Sequence, residues 1–320
     1  MPEELLMSRT TRRVFLRQLA AAGALAESGW GIAGAARGAP ISAPSAIGWK
    51  WAICNETFAG WPFEKAFALA AQCGYQGIEV APFTIATDVR EISPARRAEV
   101  RSQAAKAHLE IVGLHWLLAK TEGFHLTSAD VAVRRRTARY FGDLARFCAD
   151  LGGKIMVLGS PRQRSLQPGV SRADAMGYAA EVLRMALPDL EATGVTLAIE
   201  PLRPKDTDFI NTAAEGLELV RRVESPHFRL HLDCLAMSSE PTPIADLVRR
   251  YRSWLVHFHA NDASGQGPGF GRTDFAPILR ALAEIGYRGW VSVEVFDMSA
   301  GPERIARESL QYMRKCLEGV

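Results

Sequence analysis

Short apolar runs alternate with longer amphipathic stretches along most of this chain, and that alternation constrains its fold more than any other feature. An apolar run of about four to eight residues bounded by turn signals suits a buried strand, and an amphipathic stretch of about ten or more suits a helix covering it. Eight such pairs can be counted. The predicted strands lie near Gly48–Ile53, Gly77–Val80, Ile111–Leu114, Lys154–Leu158, Thr196–Ile199, Arg229–Leu232, Leu255–Phe258 and Trp290–Val293. The predicted helices cover about Phe63–Gln72, Pro94–Ala107, Ala129–Leu151, Ser171–Thr193, Thr212–Val223, Pro243–Tyr251, Phe275–Ile285 and Pro302–Leu317. Repeated βα units imply a parallel sheet, and eight of them satisfy a closed α/β barrel, the (β/α)₈ or TIM barrel.

Local signals agree with these boundaries. Ser93-Pro94 sets a cap residue before a first-turn proline, and Gly74, Gly152, Gly194 and Gly286 follow predicted helix ends. Cys73-Gly74-Tyr75-Gln76-Gly77 and Ile285-Gly286-Tyr287-Arg288-Gly289 are nearly the same phrase at two helix-to-strand turns, a weak trace of a repeated unit. The first strand leads into Trp51-Ala52-Ile53-Cys54-Asn55-Glu56, without the glycine-rich turn of a dinucleotide-binding sheet.

The N-terminal residues read differently. Thr11-Arg12-Arg13-Val14-Phe15-Leu16-Arg17 resembles the twin-arginine export motif; a weakly apolar run from Leu19 to Ala26 follows, then Ala33-Gly34-Ala35, an A-x-A cleavage pattern. The run is too short for a stable membrane anchor, which takes about 20 apolar residues. The expected organisation is a signal peptide over 1–35, a linker over 36–46 rich in Ala, Gly, Pro and Ser, and a barrel over 47–320. The expected destination is the periplasm. Five cysteines with no CxxC pair argue against a disulfide framework even there. A net charge of +3 without a basic block argues against a nucleic-acid partner. A homo-oligomer is compatible with the sequence.

Catalysis in such a barrel sits where strands end. Four successive strands end on metal-capable groups: Glu200, Asp233, His259 and Glu294. Three carboxylates and an imidazole converging on one rim would repel without a cation. An oxygen-rich set suits Mn²⁺ first, with Mg²⁺, Co²⁺ or Zn²⁺ as alternatives, and one divalent ion is expected. Alternation places His257 on the side of His259, one layer deeper, where it orients a ligand or packs the barrel.

Glu-Pro-Leu at 200–202, Phe-Ile-Asn-Thr at 209–212, His-Leu-Asp at 231–233, His-Phe-His-Ala-Asn-Asp at 257–262, Gly-Pro-Gly-Phe-Gly-Arg-Thr-Asp-Phe at 267–275 and Ser-Val-Glu-Val at 292–295 together resemble the xylose isomerase-like barrel superfamily, in particular its sugar phosphate isomerase/epimerase branch. The resemblance implies that Glu200, Asp233, His259 and Glu294 hold the metal. It also implies that Glu200 and Glu294 flank a sugar ketone, one removing a proton from the adjacent carbon and the other returning it. Ketose epimerases of that branch carry a histidine where this chain has Ala236 and an arginine where it has Gly265. His115, Trp116, Lys120, His125, Arg203 and Lys205 are the expected replacements on the substrate side.

Two other outcomes start from similar residues. A metal-dependent lyase cleaving 3-keto-glycosides by β-elimination would begin with the same proton abstraction. A sugar-binding protein would need no pair of bases. A DNA repair endonuclease with this barrel would need more histidines than the chain supplies, since Ala236 and Glu79 stand where it has ligands.

Overall fold

The computed structural model describes residues 48–318, so the expected signal peptide and linker lie outside the described residues. Eight parallel strands close on themselves in sequence order. They are β1 Lys50–Cys54, β2 Gly77–Val80, β3 Glu110–Leu114, β4 Ile155–Leu158, β5 Thr196–Ile199, β6 Phe228–Asp233, β7 Leu255–Ala260 and β8 Trp290–Val293. The helices are α1 Phe63–Cys73, α2 Pro94–Lys106, α3 Val131–Leu151, α4 Arg172–Thr193, α5 Ala213–Val223, α6 Cys234–Met237, α7 Ile244–Arg250, α8 Phe275–Glu284 and α9 Pro302–Leu317. β1 pairs with β8 through Ile53 opposite Val293, which shuts the barrel.

The expected elements are all present, with ends displaced by one to a few residues, as is usual at frayed termini. The capping signals act as read: Ser93 Oγ accepts the Arg96 N–H at 3.2 Å, and Gly74 and Gly152 sit in left-handed conformations at φ +98° and +92°. α6 is the unpredicted helix. It forms because the Asp233 carboxylate accepts the Ala236 N–H at 2.7 Å and Asn261 Oδ1 accepts the Leu235 N–H at 2.7 Å, so the turn depends on a neighbouring strand.

The core has two layers. The outer one packs helix faces on the sheet, as with Ile278, Leu279 and Leu282 of α8 and Ile305, Leu310 and Met313 of α9. Each such side chain contributes about 1.5–3 kcal/mol of burial. The inner layer fills the barrel. Toward its C-terminal rim it is polar: Glu79, His231, Asp233, His257, His259, Ser292 and Glu294 are all buried there. All five cysteines are free. No helix among the described residues is long and apolar enough to cross a membrane.

Candidate metal centre and active site

Strand register carries the four expected ligands to one level. Asp233 ends β6 directly opposite His259 of β7, and His259 lies opposite Ser292 of β8. Glu200 and Glu294 each follow the last residue of their strands, still held by backbone bonds to Leu158 (3.2 Å) and Ala260 (3.3 Å). Because alternate residues face inward, all four side chains enter the barrel mouth. Ligand atoms of Glu200, Asp233, His259 and also His231 lie within 4.8 Å of one another. Glu294 Oε2 is 3.0 Å from His259 Nδ1.

Buried like charges set the electrostatics. Burial, then Asp233 and Glu294, push the Glu200 carboxyl well above its usual range. Burial, then Glu294, push Asp233 up to about 7. Such crowding is what a divalent cation relieves. The donor geometry fits one as well. His259 Nε2 donates to both oxygens of Glu79 at 3.2 Å, which fixes a proton on Nε2 and turns Nδ1 toward the carboxylates. Burial works against the charged His259, but Glu79 and then Glu294 outweigh it and hold its pKa well above the ordinary value. Asp233 is fixed by the Asn261 amide at 2.5 Å. Gly159 of the β4 end lies against Glu200 Oε2 so closely that a Cβ there would collide with it. These residues can hold a divalent ion.

The layer beneath is a histidine stack. His257 Nε2 donates to Glu79 Oε2 at 2.8 Å, so His257 supports the same carboxylate that orients His259. His231 packs 4.2 Å, centroid to centroid, from His259 and 5.3 Å from His257. Burial and then the two neighbouring imidazoles keep His231 neutral.

Above the centre is a cavity of about 160 Å³, lined by His115, Trp116, Gly159, Ser160, Glu200, Leu202, Arg203, Asp206, Asp233, Leu235, Ala236, Glu294 and Phe296, among others. The expected substrate-side set divides here. His115, Trp116 and Arg203 line the cavity. His115 is buried, with Nε2 at 2.6 Å from Glu56 Oε2. Trp116, at φ +53°, stands edge-on to Phe83 and Phe296. Arg203 is held by Asp206 at 2.6 Å. Lys120 and His125 do not line the cavity, contrary to expectation. Lys120 Nζ sits 4.1 Å above the Phe83 ring, and His125 Nδ1 is 3.3 Å from the Thr127 N–H within its own loop. Lys205 is exposed. Long loop side chains find local partners that sequence position does not reveal.

Three residues escaped the sequence reading as parts of the site. Glu79 is the carboxylate that joins the two histidines. Glu56, in the turn after β1, partners His115. Arg164, fully buried, donates to the carbonyls of Glu200 (2.7 Å), Leu158 (3.3 Å) and Ile210 (3.3 Å), clamping the loop that presents Glu200. Ile210 has φ +60°, costly for a β-branched residue. Asn211 steadies the same loop through the carbonyls of Leu202 (2.9 Å) and Thr207 (2.8 Å), and Thr212 with Glu215 closes a capping box on α5. The Phe-Ile-Asn-Thr motif is thus a support for Glu200. A buried apolar end of β2 makes Glu79 the one legible signal among the missed residues.

The family model for the xylose isomerase-like TIM barrel matches residues 67–316. The chain is 30% identical to the D-psicose 3-epimerase of Agrobacterium fabrum over 72% of its own length and 78% of that protein's. It is 27% identical to the L-ribulose 3-epimerase of Mesorhizobium japonicum over 58% of its own length, a match that spans 62% of that relative. Among solved structures it resembles D-psicose 3-epimerase from Clostridium cellulolyticum with a TM-score of 0.74 at 22% identity, covering 84% of this chain and 99% of that one. It likewise resembles the 3-keto-D-glucoside 4-epimerase of E. coli, with a TM-score of 0.72 at 21% identity, covering 84% and 100%. With its closed eight-stranded barrel and this match over most of its length, the chain belongs to the xylose isomerase-like TIM barrel family.

Proposed function

We propose that this chain is a divalent-metal-dependent sugar epimerase or isomerase that moves a proton on a carbon next to a ketone. One observation carries the reading: Glu200 and Glu294, from strands three positions apart in the ring, line the same small cavity with Asp233, and buried His259 lies 3.0 Å from Glu294 and within 4.8 Å of the other two. Glu200, Asp233, His259 and Glu294 would hold the ion, Mn²⁺ first among the candidates. When bound, the ion would supply Lewis acidity that polarises a ketone oxygen. One of the two glutamates takes the proton from the adjacent carbon, and the other, reaching the cavity from a different side, returns one. Gly159 and Arg164 keep Glu200 in place, and Trp116 and Phe296 line the cavity edge-on to each other. The curated relatives named above epimerise ribulose and psicose, which supports epimerisation over β-elimination.

The substrate of this reading is a keto-sugar. Ala236, which lines the cavity, and Gly265 supply no side-chain donors where the resemblance to ketose epimerases implies a histidine and an arginine. A larger keto-sugar is therefore the better substrate, and a fructoselysine 3-epimerase from Escherichia coli is among the relatives, at 24% identity. The test is product analysis by NMR in heavy water, with metal-loaded protein and free ketoses, inososes and 3-keto-glycosides. Deuterium entering beside the ketone, with inverted configuration, is expected. An unsaturated sugar with a released aglycone would make the enzyme a lyase, and absence of exchange in every substrate would leave only a binder.

The chain is also proposed to be exported through the twin-arginine route, on the strength of Arg12-Arg13 and the apolar run behind them. Replacing both arginines by lysine should strand the protein in the cytoplasm. Unchanged export on fractionation defeats that reading.

A further inference from the structure

A second constellation lies beside the first, on the other half of the barrel mouth. Cys54 ends β1, Glu56 sits in the turn that follows, and His115 follows β3. Together with Glu294 they offer a thiol, an imidazole and two carboxylates whose ligand atoms all lie within 4.8 Å of one another. Cys54 and His115 are fully buried, and the Glu56 side chain is 11% exposed.

Two polar atoms in this group stand without partners. His115 Nδ1 and Glu56 Oε1 are both buried, and among the described residues neither has a hydrogen-bond partner, although His115 Nε2 and Glu56 Oε2 are joined at 2.6 Å. Buried polar atoms are normally satisfied, so two such atoms in one cluster call for a ligand. The neighbouring group of Cys54, Glu79 and His259 makes a useful contrast. There both Glu79 oxygens already accept from His257 and His259, so neither stands unpartnered.

We propose that Cys54, Glu56 and His115, with one oxygen of Glu294, form a second cation site for a thiophilic divalent ion of the zinc class. One sulfur, one nitrogen and two oxygens suit a tetrahedral ion such as Zn²⁺ or Co²⁺. The oxygen-rich centre beside it, with one nitrogen and three carboxylates, suits a harder ion. Glu294 belongs to both sets, so its two oxygens can bridge a pair of ions, an arrangement in which ions stand about 3.5–4 Å apart. Binding at the second site takes the Cys54 thiol to the thiolate and releases its proton to solvent.

The full chain, stripped of metal and titrated with Co²⁺ alone, tests this. Metal content and absorption are followed together, because a thiolate ligand adds a sulfur-to-cobalt charge-transfer band in the near ultraviolet that oxygen and nitrogen ligands lack. Two ions per chain are expected, with the charge-transfer band growing only as the second binds. Cys54→Ser should abolish the band and leave one ion. Cys234→Ser, altering the buried thiol next to Asp233, should keep both ions and the band. Glu56→Gln should weaken the second ion roughly 10–100-fold while sparing the first. Saturation at one ion, a second ion without the band, or a band that survives Cys54→Ser overturns the proposal, and the wild-type titration alone decides it if a variant fails to fold. Loss of the first ion on Asp233→Ala tests the principal centre separately.

Discussion

The two halves of the barrel mouth do different work. The half built by β5–β8 presents Glu200, Asp233, His259 and Glu294 at the ends of consecutive strands, the first three with ligand atoms within 4.8 Å of one another and Glu294 3.0 Å from His259. The half built by β1–β4 contributes Cys54, Glu56, Glu79, His115 and, from the loop after β4, Arg164. Apart from the group around Cys54, these act on the first half across or around the ring: Glu79 spans the barrel to His257 and His259, and Arg164 reaches over to the backbone of Glu200. One half carries the groups proposed to bind and react, and the other holds them in their protonation states and positions. The proposed chemistry therefore concentrates on neighbouring strands, while the supports come from the far side, because a closed barrel places distant strands in contact through its interior.

That division can be broken by experiment. The largest effect is expected on the reacting half. Glu294→Gln, and separately Glu200→Gln, should lower turnover roughly 10²–10⁴-fold. Proton exchange into a confirmed substrate, read by NMR, measures it, and near-wild-type exchange in both variants ends the two-carboxylate mechanism. A smaller effect belongs to the supporting half. Glu79→Gln keeps the shape but removes the charge that fixes His259, so metal affinity should fall about 10–100-fold without loss of fold. Equal affinity in a competition titration would show that His259 needs no partner across the barrel. The smallest effect is expected for Arg164→Met. It strips hydrogen bonds from the carbonyls of Leu158, Glu200 and Ile210 at a cost of about 1–3 kcal/mol. The melting temperature should drop by several degrees, and kcat should suffer more than KM because Glu200 is loosened. A variant that melts lower with unchanged kcat would make Arg164 a stability residue alone.

Metal removal sharpens the same contrast. A chelator should lower the melting temperature of the wild type, since an ion bound only by the folded state stabilises it. Asp233→Ala, which should lose the principal ion but keep the proposed second site, should show a smaller response, and a chelator shift equal to that of the wild type would place the principal ion elsewhere.

How much could be read in advance follows this division. The strands and helices were legible because burial on one face repeats at a period set by local geometry, as in Thr196–Ile199 and Trp290–Val293, where expected and observed ends coincide. Glu200, Asp233, His259 and Glu294 were legible because each ends an apolar run and the pattern recurs on four strands. Lys120 and His125 stand against Phe83 and Thr127, contacts that the sequence did not reveal. Nothing around Arg164 in the chain distinguishes it from the many surface arginines.

The amino-acid sequence by itself thus determined the (β/α)₈ architecture, its family and the four residues at the rim of β5–β8, since periodicity and strand ends are local properties. Only the tertiary structure decided which groups meet across the barrel. Glu79 with His257 lies 178 positions away along the chain, and Cys54 with Ser292 lies 238. Such pairs exist only once the sheet has closed, and what closure puts together is a matter of register and shear around the ring.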